Sequence, residues 1–314
     1  MSQMEELSLS VIIVTWNCGE KVHPTLDLLI QCQKYISLEV IVVDNGSQDG
    51  TVDKIRNEFS TVICLEEKEN HGFAKAVNIG AKKARGDYLL LLNDDAQLEP
   101  EACRALLEKA EGIESLGVMG AQLIFPDGRL QNSVAAVPNL WTELFNKNLL
   151  KAVLPSYFPS RHQVYQEVTD VPSVIGACFL TKREVFTELG GLDEEFFFYL
   201  EETDYCVRSR SKGYRVVHNP FVRVIHEQGR SSRKVAVWSK LQYHRSLLTF
   251  FRKHKGATTA KFLKWALRMQ HSWKLILTSL GLALSLGMHK RLRLKWATYV
   301  ALLGENLKRG NTGP

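Results

Sequence analysis

The six cysteines (Cys18, Cys32, Cys64, Cys103, Cys178, Cys206) include no CxxC pair. Their scatter argues against a zinc site and a disulfide framework, and it fits a reducing compartment. An apolar leader is also lacking. Residues 1–9 carry Glu5 and Glu6 and no hydrophobic stretch, which predicts no secretory signal. The uncharged stretch 275–288 is too short to span a bilayer. Acidic residues almost vanish from the last part of the chain: residues 231–314 hold seventeen Lys and Arg against one acid, Glu305. The preceding 230 residues hold 23 basic and 33 acidic groups, so a body near −10 precedes a tail near +16, although the whole chain is only +6. A split of this kind predicts two regions with different partners, at 1–230 and 231–314. The overall composition, 45% hydrophobic and 24% charged, is that of an ordinary globular protein.

What is present is organised around Tyr88-Leu89-Leu90-Leu91-Leu92-Asn93-Asp94-Asp95. A short apolar run between Gly86 and Pro100 reads as a strand buried on both faces, as in a parallel sheet. Two similar runs precede it, at 7–14 and 38–43, with a further strand at 61–65. Helical spacing between them predicts helices near 22–35, 52–59 and 73–84, and another follows from 100 to about 110. This β-α-β alternation predicts a doubly wound, mostly parallel α/β sheet. Beyond Gly120 the alternation stops. Residues 125–129 read as a hairpin turn and 131–170 as loops lining an acceptor site. A strand is expected at 174–181, helices at 183–189 and 201–212, and two last strands at 215–218 and 221–226. Long helical patterns then dominate the basic tail, which holds four of the six tryptophans.

Open α/β sheets bind ligands at the carboxyl ends of their strands, and here successive strands end in polar clusters. Asp94 and Asp95 are hard oxygen ligands suited to Mg²⁺ or Mn²⁺, which typically bridge a carboxylate to substrate phosphates. The alternative is a polar turn capping the helix that opens at Pro100. Thr15, Asn17, Asp44 and Asn45 lie at the ends of the first two strands, where a carboxylate can accept from a pyrimidine N3–H; otherwise they only build turns. Asn70-His71-Gly72-Phe73-Ala74 opens a helix, and Gly72 and Phe73 there would meet phosphate or sugar oxygens, or else mark a plain helix start. A second acidic centre, Glu201-Glu202-Thr203-Asp204, follows the aromatic run 196–199. Aromatic neighbours desolvate an acid and raise its pKa, which suits a general base. The same acids would also decorate a helix N-terminus. His226 ends the last strand, as a structural histidine or as a metal ligand beside the carboxylates.

Val14-Thr15-Trp16-Asn17, Val43-Asp44-Asn45-Gly46-Ser47, Asn70-His71-Gly72-Phe73-Ala74, Asn93-Asp94-Asp95, Gly190-Gly191-Leu192-Asp193, Glu201-Glu202-Thr203-Asp204 and His226 occur in an order that resembles the family 2 glycosyltransferases of the GT-A fold. The likeness is to the bacterial rhamnosyltransferase-like branch that builds cell-surface polysaccharides, and it covers about residues 8–231. It implies a GT-A domain, to which the charge and helical pattern of the tail add a basic helical extension at the C-terminus. It also implies a UDP- or dTDP-sugar donor with its base at Asp44, and a Mn²⁺ or Mg²⁺ site at Asp95 and His226 with Asp94 and Asn93 beside it. The implied reaction is inverting transfer to an acceptor hydroxyl. The family usually has Glu-Asp where this chain has Glu201-Glu202. Glu202 takes the place of the usual base, with Glu201 as the alternative.

The tail is expected to bind the cytoplasmic face of the membrane peripherally through its positive charge and tryptophans, and to meet a lipid-linked saccharide acceptor there. Stretch 275–288 reads as an interfacial helix. Otherwise the tail is a helical subdomain whose tryptophans are its own core. No nucleic-acid motif accompanies the charge, so no nucleic acid is expected. Two other classes of function remain: a nucleotidyltransferase and a non-catalytic nucleotide-sugar binder. The first usually carries a Gly-rich loop with Arg and Lys after the first strand, which Thr15-Trp16-Asn17-Cys18-Gly19 lacks. Two intact acidic centres argue against the second.

Overall fold

The computed structural model describes residues 8–145, 164–227, 236–286 and 288–304. They divide into a sheet unit and a helical unit.

In the sheet unit the apolar runs form β1 (Ser8–Thr15), β2 (Ser37–Asp44), β3 (Ile63–Glu66) and β4 (Tyr88–Asn93). Helices α1 (His23–Cys32), α2 (Thr51–Glu58) and α3 (Phe73–Lys83) connect them, and β1 is parallel to β2 and β4, as β2 is to β3. The leucines of β4 are at most 2% exposed. Burying each contributes roughly 1.5–3 kcal/mol, which holds this strand at the centre of the sheet. Helix α3 approaches closely because its inner face is small. A Cβ on Gly80 would lie 2.7 Å from Ile12 Cγ2.

Next come β5 (Ala96–Gln97), α4 (Pro100–Glu111), β6 (Leu116–Ile124), β7 (Val134–Ala135), α5 (Leu140–Leu144), β8 (Thr169–Asp170), β9 (Ser173–Val174), β10 (Cys178–Lys182), α6 (Arg183–Glu188), α7 (Glu201–Ser211) and β11 (Arg215–His226). The sheet runs β3-β2-β1-β4-β10-β6-β11-β5, with β8 on β11 and a separate β7–β9 pair. Strand β10 is antiparallel to both neighbours, while β6 and β11 are parallel. This is the expected mostly parallel α/β sheet with one strand reversed inside it.

Three elements differ from the sequence reading. The strand expected at 174–181 is split into β9 and β10, which belong to different sheets. The two last strands are one, β11, with an irregularity between Asn219 and Arg223. Pro220 has no amide to give the ladder, and Phe221 swings out to 70% exposure. Stretch 275–288 is not a helix of its own: its residues up to Leu284 are the end of α9, which begins at Ala257.

The helical unit contains α8 (Ala236–Lys255), α9 (Ala257–Leu284) and α10 (Lys290–Gly304), packed on Leu247, Phe250, Phe251, Leu263 and Leu267. Helix α5 and residues 198–200 group with these helices rather than with the sheet. Gln270 donates to the Leu144 carbonyl at 3.1 Å, and Ser246 Oγ to the Phe198 carbonyl at 2.8 Å. The helical unit therefore draws on more of the chain than the residues after 230. Trp265 and Trp273 are 59% and 62% exposed, so the tail's tryptophans are not simply its core. No helix among the described residues is long and apolar enough to cross a membrane.

Candidate active site

Register builds the site's rim. Thr15 pairs with Asp44 across β1/β2, and Val14 with Asn93 across β1/β4, so these polar residues share the carboxyl edge of the parallel strands. Asp44 is fully buried. Its Oδ1 accepts from Thr15 Oγ1 (3.1 Å) and Ser47 Oγ (2.5 Å), and its Oδ2 from the Ser47 amide (2.8 Å). Asn17 braces the same turn: its amide donates to Ser47 Oγ at 2.8 Å and its side-chain oxygen accepts from the Gln48 amide at 2.9 Å. Asn45 ties this rim to the loop before α3, donating to Asn70 Oδ1 at 2.9 Å and accepting from the His71 amide at 2.9 Å.

That loop is itself bound to the segment before α7. The Phe73 amide donates to the Phe197 carbonyl at 2.8 Å, and the Gly72 amide to Asn70 Oδ1 at 2.9 Å. Both amides are thus engaged inside the protein, and the Phe73 ring packs on the sheet core. Gly72 and Phe73 position loops here rather than offering free amides. Gly72 has φ +84°, and a Cβ on it would lie 2.5 Å from the Phe197 carbonyl oxygen. Gly72→Ala should therefore lower stability by on the order of 1–3 kcal/mol and weaken donor binding. Thermal melting and nucleotide calorimetry check this, and a variant that melts as wild type would show that the loop yields freely.

At the centre of the edge, β5 pairs Ala96 with His226 of β11, which brings His226 beside Asp95. His226 Nε2 lies 3.3 Å from Asp95 Oδ1 and 3.4 Å from Asn93 Nδ2. Gln131 clamps the histidine from behind: its amide nitrogen donates to the His226 carbonyl, and its Oε1 faces His226 Nδ1 at 3.1 Å. With Nδ1–H donating to Gln131, the Nε2 lone pair points toward Asp95, the tautomer a cation needs. Burial, then the Asp95 charge, push the Asp94 carboxyl up to about 7. Among the described residues no three acidic, histidine or cysteine groups gather closely enough to hold a metal by themselves. The Asp95–His226 pair fits a cation whose remaining ligands are substrate oxygens and water, the usual arrangement for Mg²⁺.

The second acidic centre opens α7. Tyr199 and Leu200, just before it, have φ values of 73° and 67°, a left-handed conformation that side chains rarely adopt and that clusters at functional sites. Glu201 is buried, Glu202 partly so, and among the described residues the Oε2 atom of each lacks a hydrogen-bond partner. Burial pushes Glu202 up to about 7; burial and then the Glu202 charge push Glu201 well above the carboxylate range. A Cβ on Gly176 would meet the Glu202 side chain at 3.6 Å, and the neighbouring Ala177 carbonyl accepts from the Asn93 amide at 3.1 Å. One short segment thus links Glu202 to the Asn93 edge. Asp204 has a different task. It is fully buried and pairs with Arg208 at 2.7 Å, and Arg208 also donates to the carbonyls of Leu189 and Gly191. This acid locks the Gly190-Gly191 turn and takes no part in the open chemistry.

Sequence reasoning missed Gln131 and Gly176. Gln131 lies in the irregular stretch 131–170 and Gly176 inside the strand expected at 174–181, and neither residue type carries a signal of its own.

A mostly parallel α/β sheet of this order is the GT-A fold, and solved structures share it. A mannosyltransferase from Pyrobaculum calidifontis, in complex with GDP-Man and Mn²⁺, has a TM-score of 0.57 at 19% identity, over 97% of this chain and 88% of that one. GalNAc-T7 with UDP, GalNAc and Mn²⁺ has a TM-score of 0.53 at 20% identity, over 71% and 44%. Residues 10–190, more than half of the chain, match Glycosyl transferase family 2, and the chain belongs to that family. It is similar to an N-acetylglucosaminyl-diphospho-decaprenol L-rhamnosyltransferase of Mycobacterium tuberculosis, 28% identical over 83% of this chain and 89% of the relative. It is also similar to the O-antigen biosynthesis protein RfbC of Myxococcus xanthus, 27% identical over 73% of this chain and 18% of that one.

Proposed function

We propose that this glycosyltransferase transfers a sugar, with inversion, from a UDP- or dTDP-sugar to a hydroxyl of a lipid-linked saccharide in cell-surface polysaccharide synthesis, with Glu202 as the base. The observation that carries this reading is the Glu202 carboxylate itself, held with an unpartnered buried oxygen and a pKa near 7. A base poised near the working pH combines the right protonation state with useful driving force. The acceptor oxygen forms its bond to the anomeric carbon as the bond from that carbon to the nucleoside diphosphate breaks, and the acceptor's proton passes to Glu202. The Thr15–Asp44–Ser47 rim receives the nucleotide. Asp95 and His226 would hold a Mn²⁺ or Mg²⁺ ion that balances the charge developing on the diphosphate. The mycobacterial relative's name supports a lipid-linked acceptor and makes L-rhamnose the first sugar to try. Incubation with a panel of UDP-, dTDP- and GDP-sugars and Mn²⁺ tests the reading. One donor should be hydrolysed slowly in the absence of acceptor. Release of pyrophosphate from a sugar phosphate and a nucleoside triphosphate would instead make it a nucleotidyltransferase, and binding without turnover of any donor would make it a binder.

The helical unit supports a place on the cytoplasmic face of the membrane. Helix α9 exposes Phe262, Trp265, Met269, Trp273, Leu280 and Leu284 at helical spacing, and the only charges on this helix are basic: Lys261, Lys264, Arg268 and Lys274. An apolar stripe with basic flanks suits an anionic lipid surface, worth about 1 kcal/mol per basic residue close to it. The full chain should float with anionic vesicles at low salt and partly release at high salt. Trp265→Glu combined with Trp273→Glu should float far less. Equal flotation of the two proteins, or none by either, would remove the membrane from the proposal.

A further inference from the structure

One apolar feature of the helical unit lies outside the basic tail and has no part in the chemistry above. At α5, Trp141 and Phe145 are 62% and 52% exposed, with their rings stacked at 5.4 Å between centroids. We propose that this pair is a membrane anchor, which enters the headgroup region of an anionic lipid surface beside α9; this rests on the membrane reading of α9.

Five residues make no stable helix alone, so neighbours must fix this one. Asn139 and Thr142 form a capping box: the Thr142 amide donates to Asn139 Oδ1 at 3.0 Å, and the Asn139 amide to Thr142 Oγ1 at 3.2 Å. The Phe145 amide donates to the Trp141 carbonyl at 3.0 Å and closes the turn. Residues four apart share a face of such a turn, and there the two rings meet. Other groups of α5 are held by the unit's own helices. The Leu144 carbonyl accepts from Gln270 of α9, and Glu143 Oε2 from the Tyr243 hydroxyl of α8 at 3.4 Å. Gln270 lies between Met269 and Trp273, two members of the exposed α9 stripe, so the stacked pair broadens that stripe.

Apolar side chains exposed singly need no explanation, whereas a contiguous patch marks an interaction site. Charge selects the partner. The described residues of the helical unit hold thirteen Lys and Arg against one acid, Glu143. That imbalance attracts anionic lipid, and an indole suits the headgroup region, where its ring is buried and its N–H stays wet. A second copy of this chain would bring the same positive charge and be repelled. The membrane face is then not confined to residues 231–314, because α5 comes from the middle of the chain.

Vesicles of phosphatidylcholine and phosphatidylglycerol, with and without bromine on the acyl chains, test this on the full chain. Bromine quenches a tryptophan only at close contact, so it reports which indoles reach the apolar layer. The wild type should float with both kinds and be quenched by the brominated one. Trp141→Phe keeps an apolar ring, so it should float as wild type and lose part of that quenching. Trp141→Ser combined with Phe145→Ser should bind about tenfold or more weakly, as expected for losing two buried aromatic rings. Its donor hydrolysis without vesicles should stay at the wild-type rate. Thermal melting shows whether the serine variant folds; if it does not, Trp141→Phe decides. Quenching of Trp141→Phe equal to that of wild type, or undiminished binding by a folded serine variant, overturns the anchor and leaves the α9 stripe standing. A wild type that ignores vesicles overturns both. A wild-type dimer, seen by light scattering and lost in a serine variant that still floats, would make the pair a contact between copies and also overturns the anchor.

Discussion

Glu202→Gln is expected to lower sugar transfer about 10²- to 10⁴-fold while nucleoside diphosphate affinity stays close to that of the wild type. A base acts on the acceptor proton as the transition state forms, and the bound donor does not meet it. Gln keeps the size and one hydrogen-bonding oxygen but takes no proton. The pH profile carries the same signature. Burial pushes Glu202 up to about 7, and only the carboxylate accepts a proton, so wild-type transfer should fall as pH drops below about 7 and level off above it. Residual activity of the Gln variant should lack that limb. Stability runs in the opposite direction. A carboxyl whose folded pKa exceeds its ordinary 4.5 contributes stability that is complete below 4.5 and is lost as pH rises through about 7. At pH 8 the Gln variant should therefore melt no lower than wild type. Near-full turnover by Glu202→Gln beside a dead Glu201→Gln would move the base back one residue.

The parallel half of the fold was readable because its strands are buried on both faces and its helices are amphipathic or small. Leu89–Leu92 and the β-branched run of β2 admit little else. The resemblance drawn from ordered motifs agrees with the family to which the chain belongs. After β6 the signals thin out. Strand β10 runs backwards between β4 and β6, and nothing in its five residues marks direction, which long-range pairing sets. The bulge in β11 was written in Pro220, yet a proline reads equally well as a break between two strands. At the site, acids on strand ends and at a helix start announced themselves by type and position. Their roles did not. Asp204 looks like its neighbours Glu201 and Glu202 in the sequence, and only the Arg208 pairing four residues later makes it a brace. Asn17, Asn45, Gly72 and Phe73 were expected around the donor, and the hydrogen bonds they make tie loops to one another. A hydrogen-bonded turn and a ligand rim use the same residue types, so sequence alone could not separate them.

Asp95→Asn is expected to abolish the part of nucleotide binding that depends on Mn²⁺. Asp95 Oδ1 faces His226 Nε2 at 3.3 Å, and Gln131 fixes the imidazole so that this nitrogen presents its lone pair. Removing the carboxylate charge leaves one neutral ligand, too little for a hard cation, and the diphosphate charge then stays uncompensated. Asp44→Ala should behave differently. Asp44 holds Thr15 Oγ1, Ser47 Oγ and the Ser47 amide, so its loss loosens the nucleotide rim and should weaken binding with or without Mn²⁺. Calorimetry with the nucleoside diphosphate, run in Mn²⁺ and in chelator, separates the two. The wild type should bind more tightly in Mn²⁺, Asp95→Asn should bind alike in both, and Asp44→Ala should keep the Mn²⁺ increment on a weaker baseline. Gln131→Leu provides an independent check, since it leaves both proposed ligands in place but frees the ring of His226. Its Mn²⁺ increment should shrink about 10- to 100-fold, the usual cost of losing a group that orients a metal-bound histidine. An Asp95→Asn protein that binds as wild type in Mn²⁺ would take the metal away from this pair and leave His226 as a partner of Asp95 alone.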